Sequence, residues 1–123
     1  MRKLLVVAII FVALSCKKNG TGGKYKIAAF PEHNGHAIKG STLYVKFKAK
    51  SQPSDPTANY DLKIVGEADE DHVHVEDLLP GDYFLYAVGV DSTISKTVSG
   101  GAEVTIKRKE QNLEKDVHIP VME

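Results

Sequence analysis

The chain has one cysteine, no tryptophan and no excess of either charge. A single cysteine cannot close an intramolecular disulfide or build a cysteine-based zinc site. With 16 basic and 16 acidic residues the formal net charge is +0 at pH 7, so the electrostatic footprint of a nucleic-acid-binding protein is missing. Past the first residues, no stretch carries the apolar stripe of an amphipathic helix. Neither Gly-x-Ser-x-Gly nor His-Glu-x-x-His occurs, the first a hydrolase elbow and the second a metalloprotease helix. Ser92, Ser95 and Ser99 lie among several aspartates, but nothing in their spacing assembles a triad. The sequence therefore assigns no catalytic residue and points away from an enzyme.

What is present begins at the N-terminus. Arg2 and Lys3 precede an unbroken apolar run, Leu4 to Leu14, and then Ser15 and Cys16. A basic start, an apolar middle and a small residue at the boundary form an export signal. The run is far shorter than the ~20 residues of a membrane-spanning helix. Cys16 ends this run and has no partner elsewhere, so it requires another use. Ala13-Leu14-Ser15-Cys16 resembles the lipobox of bacterial lipoproteins. That resemblance implies cleavage after residue 15, a signal peptide over 1–15 and a diacylglyceryl group on the Cys16 thiol. It also implies a chain held in the bacterial cell envelope. Lys17-Lys18 lacks the acidic residue associated with inner-membrane retention, so the resemblance favours the outer membrane. Residues 16–23 are polar and glycine-rich, the composition of a flexible tether.

From residue 24 to 123 the period is two. Tyr25, Ile27 and Ala29 alternate with lysines and alanine; Leu43, Val45 and Phe47 alternate with Thr42, Tyr44, Lys46 and Lys48. The same pattern recurs at Tyr60–Ile64, Val73–Glu76 and Val104–Lys107. Asp82–Val90 is apolar on both parities, as a central strand is. At the end, Leu113, Val117, Ile119 and Val121 share one parity, broken by Lys115. This predicts about seven strands and an all-β sandwich. Turn signals divide them: Asn34-Gly35, the loop Ser51–Thr57 with Pro53 and Pro56, Pro80-Gly81 and Gly100-Gly101. Pro80-Gly81 is expected to form a type II reversal, with Tyr83 opening the strand beyond it. If Tyr83 is buried, its hydroxyl needs a partner.

Two segments carry a further resemblance. His33-Asn34-Gly35-His36-Ala37-Ile38-Lys39-Gly40-Ser41-Thr42-Leu43-Tyr44-Val45 looks like the opening of carboxypeptidase regulatory-like domains. Val73-His74-Val75-Glu76-Asp77-Leu78-Leu79-Pro80-Gly81-Asp82-Tyr83-Phe84-Leu85 looks like their second signature. Asp69-Glu70-Asp71 departs from the Asp-x-x-Gly turn usual there. The resemblance implies a seven-stranded prealbumin-like, immunoglobulin-like β-sandwich without catalysis, and no cofactor.

The histidines are the remaining chemistry. His72 and His74 fall on one face of a strand, directly after Asp69, Glu70 and Asp71. Imidazoles with carboxylates are a ligand set for zinc or a similar ion. His33 and His36 flank a turn and would add ligands only if that turn lay close. A polar, solvent-facing strand gives the same pattern, and two histidines leave coordination places to water. Tyr44, Tyr60, Tyr83, Phe84 and Tyr86 suit cross-strand pairs and core better than a sugar platform. The reading is thus a membrane-tethered, noncatalytic sandwich that binds or scaffolds an envelope protein. The alternative is a metal-binding lipoprotein using His72 and His74.

Overall fold

A computed structural model describes residues 20–108 and 113–123. The expected signal peptide 1–15 and the expected lipid-attachment residue Cys16 lie outside the described residues. The described chain is all-β: two sheets pack face to face, with no helix among the described residues.

The first sheet is built around β1 (Thr21–His33). Beside it on one edge runs β5 (Val73–Leu78), antiparallel. On the other runs β8 (Glu114–Pro120), parallel to β1 from Lys26↔Glu114 to Glu32↔Pro120. The two-residue β2 (His36–Ala37) folds back on the end of β1. Asn34 and Gly35 make that reversal with φ of 51° and 81°. Two successive positive angles define the hairpin turn that Asn-Gly favours.

The second sheet is antiparallel throughout, in the order β4 (Leu62–Val65), β3 (Thr42–Phe47), β6 (Gly81–Asp91), β7 (Lys96–Ile106). Seven of the eight strands coincide with the alternating segments of the sequence, and the eighth is the short β2.

Alternation explains the core. Tyr25, Ile27, Ala29, Val73, Val75 and Ile119 point inward from the first sheet. Leu43, Val45, Tyr83, Leu85, Val98, Val104 and Ile106 meet them from the second, and all are buried. Tyr83 is fully enclosed. Its hydroxyl donates to the Leu79 carbonyl (2.5 Å) and accepts from the Gly20 amide (2.8 Å). Burial pushes the phenol pKa up. The partner required by the sequence is therefore backbone at the start of β1 and just before β6.

Three local expectations change. Pro80-Gly81 does not reverse a hairpin. It carries the chain from β5 in one sheet to β6 in the other, and Gly81 has φ of 148°, outside the type II range.

Gly100-Gly101 does not break the chain, since β7 runs straight through both. A β-carbon on Gly100 would lie 2.2 Å from the Pro120 carbonyl oxygen; one on Gly101 would lie 2.4 Å from the Phe84 ring. These glycines admit close neighbours to a strand. The approach at Gly100 lets Ser99 and Met122 exchange backbone hydrogen bonds of 2.8 and 2.9 Å, closing β7 onto the segment that follows β8.

The third change concerns Thr21, Gly22 and Gly23, tether by composition, which belong to β1. The Leu79 amide donates to the Gly20 carbonyl at 2.8 Å.

Candidate functional site

The chemistry gathers on the outer face of the first sheet. Val73 and Val75 enter the core, so His72 and His74 turn outward. Opposite His74 on β1 stands Ala28, and opposite Ala28 on β8 stands Asp116. The small alanine leaves room above β1. Glu114 of β8 thereby comes within 3.4 Å of His74, Oε2 to Nδ1, across the intervening strand. Two residues along β1, the Phe30 ring lies between two imidazoles, with centroids 5.2 Å from His72 and 5.2 Å from His118. His118 in turn sits 3.1 Å from Glu32, Nδ1 to Oε2.

The polar geometry around His72 is specific. Its Nδ1 donates to Asp71 Oδ1 at 2.7 Å. Its Nε2 lies 3.0 Å from Nε2 of His74 and 3.6 Å from Oε2 of Glu70. The two rings meet edge to face with centroids 4.6 Å apart. The hydrogen bond to Asp71 raises the His72 pKa above its usual value, and the same bond lowers that of Asp71. A groove of about 230 Å³ opens beside the pair, lined by Glu67, Glu70, His72 and His74 and floored by Ile64–Gly66 and Val73. Among the described residues, no group of three or more His, Cys, Asp or Glu side chains is placed to hold a metal ion. The pair is open on its groove side.

His33 and His36 do not join this pair. His33 is buried, with Nδ1 2.7 Å from Asp91 Oδ2, a contact between the end of β1 and the end of β6. Asp91 also accepts from the Thr93 amide (2.9 Å) and hydroxyl (2.6 Å). The hydrogen bond from His33, then those from Thr93, bring the Asp91 pKa down to about 2. His36 lines a separate groove of about 380 Å³ with Lys39, Ser92 and Thr93. No local pattern signals the His33–Asp91 contact, because the two residues stand 58 positions apart and belong to different sheets.

The aromatics divide by face. Tyr83 is core and meets Phe47 edge-on at 5.7 Å; Tyr44 stands directly across from Tyr86 on the outer face of the second sheet, with Tyr60 edge-on to it at 5.1 Å. No family model, curated protein or solved structure matches the chain.

Proposed function

We propose that this protein is a membrane-tethered, noncatalytic lipoprotein of the bacterial cell envelope, whose sandwich binds or scaffolds an envelope protein. The observation that carries the reading is the apolar run ending at the lone Cys16. The start of the fold supports it. Gly20, only four residues beyond Cys16, is already hydrogen-bonded into the sandwich. Four extended residues span at most about 14 Å. In this reading the domain stands close to the membrane, with the start of β1 nearest the anchor. A diacyl anchor provides stable attachment, since each buried methylene contributes ~0.8 kcal/mol.

The finer fold assignment is part of the same proposal. The first carboxypeptidase regulatory-like signature spans the β2–β3 region, and the second spans β5, the crossing at Pro80 and the start of β6. Their order along the chain, and two packed sheets, support a prealbumin-like type.

The test is metabolic labelling with a fatty acid in cells expressing the full chain. The wild type becomes labelled and partitions with the outer membrane, and Cys16→Ser is unlabelled. An exported wild type without label overturns the lipoprotein reading. Crosslinking in the native envelope then tests for the partner: a specific adduct supports scaffolding, and its absence removes that role.

A further inference from the structure

We propose that the free edge of β5 accepts an extended segment of a partner protein as an added strand, and that this segment alternates basic and apolar residues. The inference rests on the reading of the sandwich as a binding module, and names where it binds and what. It begins with a difference between the two seams of the sandwich. At one seam β7 closes onto the segment after β8 through the Ser99–Met122 backbone bonds, and the inward residues Val98, Val104, Ile106 and Ile119 are buried. At the other seam β5 ends one sheet and β4 ends the other. Among the described residues no backbone hydrogen bond joins these two strands. The inward residues Leu62 and Ile64 of β4 are only partly buried, and Val65 beside them is 69% exposed. The groove of about 230 Å³ lies between the two strands. The core is thus sealed at one seam and left open at the other.

The edge supplies the hydrogen bonds. β5 pairs with β1 alone, so alternate residues along it turn their N–H and C=O groups away from the sheet, where a further strand would meet them. Side-chain direction then selects the occupant. A strand laid beside β5 sends every other side chain inward and the rest outward. The inward ones enter the groove over Ile64 and Val73, which requires apolar residues. The outward ones run beside His74 and Glu76, both exposed, with Glu70, Asp71 and Glu114 close to the two imidazoles. Residues 67 to 77 hold six carboxylates and no lysine or arginine, so the outward positions require cations. A second copy of β5 would set carboxylate against carboxylate, which is unfavourable across a strand pair. In an added strand, backbone pairing provides affinity and the alternate side chains provide selectivity.

The test titrates a capped peptide of alternating lysine and valine into the full chain in uncharged detergent at neutral pH, with amide hydrogen exchange as a second readout. The peptide binds with Kd of ~100 micromolar or tighter, binds less well at high salt, and slows exchange at the β5 edge. The same peptide with alternate amides N-methylated, or with glutamate in place of lysine, binds about tenfold more weakly or worse. Glu70→Lys/Glu76→Lys weakens the unmodified peptide to a similar extent. The N-methyl comparison leaves the protein untouched, so a misfolded variant cannot imitate it. Equal binding of the N-methylated peptide means that charge alone attracts it, and overturns the added strand. No binding at ~1 millimolar means that the carboxylates only keep the edge unpaired, and overturns it as well. In the native envelope, the full chain carries a photoreactive amino acid at position 76 or, for comparison, at position 86 on the outer face of the second sheet. A specific adduct forms from position 76. An adduct from position 86 alone overturns this inference and leaves the scaffold reading standing.

Discussion

Asp91 shows how a single side chain can hold two sheets. Its carboxylate takes hydrogen bonds from His33 and from Thr93 and is almost wholly covered, 2% exposed. Its folded pKa of about 2 is below the ordinary value, so the stability it contributes is fully present above pH ~4 and is lost as pH falls through about 2. Asp91→Asn is therefore less stable than wild type at pH 7, and the difference shrinks between pH ~4 and ~2. Thermal melts across that range measure it; a constant difference would mean that the charge of Asp91 does not matter. Gly81 is the second such residue. A φ of 148° lies in a region essentially confined to glycine, so Gly81→Val destabilises the domain by about 1–3 kcal/mol. A shifted denaturant midpoint is the readout. The sequence singled out Gly81 but gave it the wrong geometry, since Pro-Gly reads as a reversal and only the sheet assignment of its flanking strands shows a crossing. Tyr83 was the more legible residue: a phenol in a core-like strand demands a partner, and it has two.

At the scale of elements, side-chain alternation was enough to locate β1, β3, β4, β5, β7 and β8, and the run apolar on both parities located β6. Parity could not find β2, which is two exposed residues long. It also misplaced the beginnings of β1 and β7. In both, glycines that compose a loop by propensity are held in a strand by tertiary contact: Gly23 against Leu78, Gly100 against Pro120 and Gly101 under Phe84. Lys115 interrupts the apolar parity of β8 for a visible reason, since its Nζ reaches across to the Thr105 carbonyl at 3.1 Å. The early start of β1 has a measurable consequence. A soluble chain beginning at residue 24 lacks both backbone bonds of Gly20 and the Thr21↔Leu78 pairing. It is less stable than one beginning at residue 17 by about 1–3 kcal/mol, the scale of one or two such bonds. Equal urea midpoints for the two chains would mean that the glycine-rich segment only tethers.

For the molecule as a whole, local pattern could show that there are two sheets' worth of strands but not which strand joins which sheet. The histidine pair illustrates the limit. Alternation alone placed His72 and His74 on a common face, yet Glu114 and Phe30 reach them only because β8, β1 and β5 lie side by side with Ala28 between. That arrangement joins the first strand of the fold to its last, in parallel. It also sets how the domain carries force. Gly20 lies at one end of β1, and Glu123 follows the opposite end of β8. A pull between these ends draws two parallel neighbours past each other lengthwise. The ladder from Lys26↔Glu114 to Glu32↔Pro120 is then loaded in shear, every rung at once, and cannot be unzipped one bond at a time. Because β1 is also held along both edges, by β5 and by β8, tension arriving through the N-terminus meets the most resistant part of the sandwich first.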